Sequence, residues 1–262
     1  MEGLNEWDNS QLLHSQTHQL FIMNITVNAD DFGMNEDRTD SILVCFRDGS
    51  VTHTSCMVNM PDSERAMSLA RREGLLERIG LHLNLSEGRP LSKAMCRCRT
   101  FCGSDGLFNK AKYRGTASRF LLTKHDALCV KDEVAAQIAR FRELGGLCSR
   151  VDSHHHVHWD WGVARIVVPL LREAGFDAIR RGVNFGSGLS LSKRIYRGVY
   201  NVWLERQLKV RSDWFCGFEG LMNMSAIASR KGILEIMVHP MTKNGTIVDG
   251  DVCEMSQVKN FL

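Results

Sequence analysis

A chain of 262 residues, 44% hydrophobic and 24% charged, has enough apolar material for a full core in one large domain or two small ones. Its formal charge is only +3, and the basic residues are scattered and not gathered into a stripe, so no nucleic-acid partner is implied. Nine cysteines without a Cys-x-x-Cys suit reduced thiols in a cytoplasmic or nuclear compartment, and no apolar run approaches membrane-spanning length, so no membrane partner is expected.

Residues 1–20 open on a polar, acidic stretch with neither the basic nor the apolar region of a secretory leader, and are expected to be a poorly ordered extension. Residues 21–262 read as a single domain. Residues 21–28 form a first predicted strand, and a helix is expected over 35–48, with Asn35 as N-cap and Gly49 just past its end. Residues 51–59, rich in β-branched side chains, give a second strand; a helix then opens at Pro61 and is ended by Gly74. The third strand, 79–85, points Leu81, Leu83 and Leu85 one way and His82 and Asn84 the other.

Residues 86–124 read as a long insertion, expected to be a mobile flap on the substrate side, because loops of that length in a compact domain are usually functional. Within it, Cys96, Cys98 and Cys102 lack both the usual zinc-knuckle spacing and a histidine close in sequence, so they are not assigned to a second metal site. Beyond the insertion come a helix over 130–144, a strand over 148–154, and a helix over 163–174 that Pro169 should kink. A strand at 176–180, a helix at 189–210, a strand at 213–217, a helix at 221–230 and a seventh strand at 233–238 complete the pattern. Strand and helix alternating in this way predict an α/β fold with a mostly parallel sheet, open or closed into a barrel.

Polar residues that this pattern does not explain gather at strand ends. The stretch Val-Asp-Ser-His-His-His-Val-His-Trp-Asp-Trp at 151–161 holds four of the ten histidines. If it stays extended, Asp152, His154, His156 and His158 share one face, and burying such groups without partners costs several kcal/mol each, roughly. A bound metal is the simplest partner; the bland alternative is a solvated loop. Asp30 and Asp31 leave the first strand, His82 lies late in the third, and His239-Pro240 ends the seventh, which is where a barrel enzyme keeps its chemistry. Neighbouring carboxylates repel unless a cation or proton lies between them, and Asp with two His suits zinc, manganese, cobalt, ferrous iron or magnesium.

Four segments, taken in order, carry a resemblance: Asn28-Ala29-Asp30-Asp31-Phe32-Gly33, the run from Gly80 through His82 and Glu87 to Leu91, Asp152-Ser153-His154-His155-His156-Val157-His158, and Glu235-Ile236-Met237-Val238-His239-Pro240. Together they resemble the YdjC-like carbohydrate deacetylases, a family that includes chitooligosaccharide deacetylases. The resemblance implies a (β/α) barrel-like fold of about seven parallel strands and hydrolysis of the acetamide of N-acetylated mono- or oligosaccharides. It also implies one divalent metal, magnesium or zinc, held by Asp31, His82 and His154, with Asp30 as the base. Met241 stands where the family usually has glycine, and 22 residues follow Pro240 where relatives continue, so the barrel is expected to be incompletely closed at the C-terminus.

Elementary chemistry agrees with that implication. Amide hydrolysis needs an activated water, stabilisation of an oxyanion and a proton for the departing amine, and a divalent ion serves the first two. His239, arriving from another strand, is the candidate proton donor, though a neutral histidine capping a strand end is the plain alternative. Asp152, His156 and His158 are expected to orient His154 or contact sugar hydroxyls. Trp159, Trp161, Trp214 and Phe108 offer candidate flat faces for a sugar ring, although core packing is the commoner fate of such residues. A metal-dependent phosphoesterase, and a shortened member that binds metal without turnover, stay open beside the deacetylase reading, as does a homodimer.

Overall fold

The alternation of strand and helix becomes a parallel sheet curved around a polar interior in the computed structural model, which describes residues 23–114, 117–185, 190–210, 212–220, 232–250 and 253–259. The expected extension at 1–20 and the helix expected at 221–230 lie outside the described residues. The strands are β1 (Met23–Phe32), β2 (His53–Cys56), β3 (Ile79–Leu83), β4 (Arg150–Ser153), β5 (Ala178–Ile179), β6 (Trp214–Gly217) and β7 (Gly232–Val238). They pair in the order β5-β4-β3-β2-β1-β7-β6, every neighbour parallel, as an open half-barrel.

The opening is not at the C-terminus, as expected from the sequence, but between β5 and β6. The last of these strands, β7, pairs with β1 from Met23↔Gly232 to Ala29↔Val238, so that seam is closed. Along the β5 edge the chain before β6 runs alongside, Ile179 N donating to Lys209 O (3.1 Å) and Lys209 N to Asp177 O (3.0 Å). Asn184 adds a second tie by accepting from Phe215 N at 2.9 Å.

Helices α1 (Glu36–Asp48), α2 (Ser63–Arg72), α5 (Lys124–Glu143), α6 (Trp161–Glu173) and α7 (Leu191–Glu205) connect successive strands. The start of α1 is set by Asn35, whose side chain accepts from Arg38 N, and its end by Gly49 in the left-handed region. Pro169 does not interrupt α6: the apolar face of Val163, Val167, Val168 and Leu171, fully buried, outweighs the roughly 3 kcal/mol that an internal proline costs. One contiguous apolar cluster joins the outer face of the sheet to these helices, with Val27, Ala29, Leu81 and Leu83 contributing from the strands.

The insertion is built, not loose. Its short helices α3 (Lys93–Cys96) and α4 (Lys110–Arg114) bring Met95, Cys98, Phe101, Cys102 and Tyr113 into the core, so a free flap is not what these residues form. Phe101 stacks on Tyr113 with centroids 4.5 Å apart, and the buried Glu133 of α5 accepts from Leu91 N (3.0 Å) and Ser92 N (2.7 Å). After β7 the chain forms an unexpected antiparallel sheet, β8 (Pro240–Lys243), β9 (Thr246–Asp249) and β10 (Cys253–Glu254), then α8 (Met255–Val258). Asn244 and Gly245, at φ 52° and 81°, make the tight β8–β9 turn that Asn-Gly favours.

Candidate active site

Alternation along β1 sends Asn28 and Asp30 into the half-barrel while Val27 and Ala29 pack outward. A register shift against β2 between Ala29 and Phe32, with Asp31 at φ 71°, then breaks the alternation. Such a bulge re-aims one side chain, and Asp31 leaves the strand pointing at the same rim as His82 and His154. Gly33 follows at φ 82°, where a Cβ would stand 2.9 Å from Ser63 Cα, so the turn after the aspartate pair demands glycine.

Asp31 Oδ1 lies 2.9 Å from His154 Nδ1 and 3.3 Å from His82 Nε2. All three side chains are buried, and His82 Nε2 has no hydrogen-bond partner among the described residues. The far nitrogen of each ring is held by a carboxylate: His82 Nδ1 by Asp152 Oδ1 at 2.7 Å, His154 Nε2 by Glu87 Oε2 at 2.9 Å. With those nitrogens protonated, the inner two turn lone pairs towards Asp31, an arrangement that repels unless a proton or a cation sits among the three atoms. Protonation is the metal-free answer: burial would push His82 down, but Asp152 and Asp31 outweigh it and raise the ring to about 10. His154 is likewise raised, burial being outweighed by Asp31 and Glu87. For Asp31 the two rings outweigh burial and hold the carboxyl well below its usual range.

Beneath this cluster lies a charged floor centred on Arg180, at the end of β5, which sequence reasoning missed. Its guanidinium spans Asp30 Oδ1 and Oδ2, Asp152 Oδ2 and Glu235 Oε1, each at 2.7 Å, and rests 4.9 Å from the centre of the Phe215 ring. Asn28 Nδ2 adds a bond to Asp30 Oδ1 (2.8 Å), and Ser55 Oγ one to Asp152 Oδ2 (2.9 Å). Burial raises Asp30 but Arg180 more than reverses it, so the carboxyl titrates far below an ordinary aspartate. Asp152 thus joins the two layers, holding His82 with one oxygen and Arg180 with the other.

The histidine run does not remain a strand. Extended backbone ends at Ser153, and His154–Trp159 form a tight turn in which His155 (φ 51°) and His156 (φ 55°) are left-handed, so the expected shared face stops at His154. The His155 ring lies tilted at 52° against the His154 ring, centroids 3.9 Å apart, and meets Ser86 Oγ at 3.1 Å. His156 lies flat on Trp159 (3.9 Å, 16°), and burial, then Arg180, drive its pKa well down, leaving it neutral. His158 is fully buried: Nδ1 pairs with Ser153 Oγ and Nε2 with Arg180 O at 3.1 Å, which excludes it from touching a sugar and makes it a brace for the end of β5. Burial and Arg180 bring its pKa to about 3.

His239 enters from the end of β7, half-buried, with Nδ1 3.8 Å from Asp249 Oδ1 and its backbone N–H bonded to the same oxygen at 2.7 Å. Burial lowers its pKa, but Asp249, Asp30 and Asp31 reverse the direction. The ring lines an open cleft of about 530 Å³ that runs over Val183, Phe185, Phe218 and Met237. The tryptophans considered for sugar stacking are packed instead: Trp159 under His156 and Arg197, Trp161 against Trp203, Trp214 against Phe185; Phe108 is also in the core.

Of the site residues expected from sequence, Asp30, Asp31, His82, Asp152, His154 and His239 converge, whereas His156 and His158 fill supporting positions. Glu87, Arg180, Asn28 and Ser55 complete the network. A signal for Arg180 exists, since Asp30 and Asp152 near strand ends and Glu235 in the middle of β7 require a buried counter-charge, and Arg180 closes the strand expected at 176–180.

Comparison with known proteins gives a family match: the profile described as YdjC-like protein covers residues 24–258. A carbohydrate deacetylase of Homo sapiens is 36% identical over 168 residues, covering 63% of this chain and 50% of that protein. One from Clostridium beijerinckii is 34% identical over 154 residues, covering 58% of this chain and 57% of that protein. The chain spans about half the length of the curated relatives it matches. Among solved structures, an Enterococcus faecalis protein named for a proposed cellobiose-phosphate cleavage activity superposes with a TM-score of 0.67 at 20% identity, covering 91% of this chain and 90% of that one, a likeness of fold. No helix among the described residues is long and apolar enough to cross a membrane.

Proposed function

The chain belongs to the YdjC-like family, and on that premise we propose that it is a metal-dependent hydrolase that removes acetyl groups from N-acetylated carbohydrates. The observation that carries this reading is the convergence of Asp31, His82 and His154 on one buried point, with His82 Nε2 left without a hydrogen bond. Two imidazole nitrogens and one carboxylate oxygen suit a divalent ion, and the nitrogen share favours zinc, manganese or cobalt over magnesium. When bound there, such an ion lowers the pKa of water and polarises a carbonyl.

The remaining tasks fall to the chain's own groups. Asp30 is the proton acceptor in this reading. The Arg180 fork keeps it ionised and fixes its orientation, which supplies a permanent acceptor at the cost of low basicity. His239 lies in the cleft with a raised pKa, the condition required of a group that delivers a proton to a leaving amine. Asp152 and Glu87 fix which nitrogen of His82 and His154 faces the site. The cleft beside His239, with aromatic and aliphatic walls, has room for a sugar ring.

Acetate release from N-acetylated sugars, measured in parallel with phosphate release from phosphorylated sugars, tests the reading. The deacetylase assignment requires acetate and no phosphate; phosphate alone would reassign the site to a phosphoesterase, and neither product to a metal-binding protein without turnover.

A further inference from the structure

Away from the half-barrel, the insertion meets α5 through a second cluster of metal-ligating groups. His125 and Cys129 stand four residues apart on α5, the spacing that places two side chains on one helical face, and Cys129 Sγ lies 3.7 Å from His125 Nε2. Cys98, in the turn after α3, completes the group, the three ligating atoms all lying within 4.8 Å of one another. Asp126 Oδ1 accepts a hydrogen bond from Cys98 Sγ at 3.3 Å, which brings a carboxylate beside the cluster. Cys98 and Cys129 are buried and His125 is exposed, so the cluster has a path to solvent.

Zinc bonded at about 2.3 Å to sulfur and about 2.0 Å to nitrogen separates tetrahedral donors by roughly 3.4–3.8 Å. The 3.7 Å between Cys129 and His125 already falls in that range, and Cys98 Sγ lies within 4.8 Å of both. We propose that Cys98, His125 and Cys129 form a second metal site, for a soft divalent ion of the zinc class, that fastens the 86–124 insertion to α5. Sequence spacing within the Cys96–Cys102 run conceals it, because two of the three ligands come from the following helix. On binding, each thiol loses its proton to solvent and its sulfur takes up the metal. Thiolate ligation distinguishes this site from the Asp31 cluster, which contains no sulfur.

Cobalt(II) titrated into the full chain, reduced and freed of metal, tests the proposal, since only thiolate ligation gives a sulfur-to-cobalt charge-transfer band in the near ultraviolet. The band is expected to saturate at one equivalent in His82→Ala and by two in the wild-type chain, to be displaced by zinc, and to vanish in Cys129→Ser. His125→Ala, an exposed change that leaves the core intact, should weaken zinc binding at this site at least about tenfold. Absence of the band in the wild-type chain would overturn the proposal. So would its survival in Cys98→Ser or Cys129→Ser; if those variants do not fold, unchanged zinc affinity in His125→Ala overturns it alone.

Discussion

Asp30 and Asp31 are adjacent in sequence yet occupy different electrostatic settings, one clasped by Arg180 and the other faced by two imidazoles. The bulge in β1 makes the separation, and it divides the consequences of substitution. In the proposed roles, Asp31→Asn replaces an anionic ligand by a neutral amide, so metal affinity should fall and activity should partly return at high metal concentration. Asp30→Asn keeps the ligands and removes the acceptor; turnover should drop by about two to four orders of magnitude with metal content unchanged and no rescue by added metal. Metal titration combined with steady-state kinetics on both variants checks the pair, and an exchange of the two patterns would swap the roles. Arg180 is the residue on which the floor depends most. Arg180→Met leaves Asp30, Asp152 and Glu235 buried without their counter-charge, and denaturant unfolding should show a loss of about 3–5 kcal/mol. A loss below 1 kcal/mol would mean that the floor is not organised around this guanidinium.

At the scale of elements, periodicity and capping residues located β1, α1, β3, α6 and β7 within a few residues, because apolar spacing and Asn35 or Gly49 act locally. The histidine run misled for an equally physical reason. A face shared by Asp152, His154, His156 and His158 requires extended backbone beyond the strand expected over 148–154, whereas left-handed His155 and His156 turn the chain, a conformation costing about 1–3 kcal/mol per residue that only surrounding packing can hold. The length of the insertion predicts a mobile flap, but the decisive contacts are long-range: Phe101 on Tyr113, Tyr113 Oη to Asp160, Glu133 to Leu91 and Ser92. Amides of residues 95–102 should therefore be strongly protected from hydrogen exchange without any sugar, and exchange on the timescale of a free loop would restore the flap. Asn244-Gly245 was an available hairpin signal, and Gly245→Ala should cost about 1 kcal/mol through strain at φ 81°.

For the whole molecule, the barrel-like parallel sheet and the convergence of strand-end residues were legible because a βαβ alternation puts every strand's C-terminal end on one face. The position of the opening was not legible, since strand neighbours are set by pairing and not by chain order: β7 lies beside β1, and the edges are β5 and β6. The charged interior also links metal, proton and stability. In the metal-free protein His82 is raised from 6.5 to about 10, so the stability its protonated ring contributes is complete below pH 6.5 and is lost as pH rises towards 10. A metal ion needs the same ring unprotonated, so the melting temperature gained on adding metal should grow across that window. Thermal melts with and without zinc at several pH values check the sign; a gain that shrinks with rising pH would remove His82 from the ligand set. The most direct test of the central claim is acetate release from N-acetylglucosamine oligomers by the purified chain, before and after chelation, beside His82→Ala. Acetate should appear with metal, stop on chelation, return on reloading and stay absent in His82→Ala; acetate release that survives both chelation and His82→Ala would contradict a metal-dependent deacetylase centred on Asp31, His82 and His154.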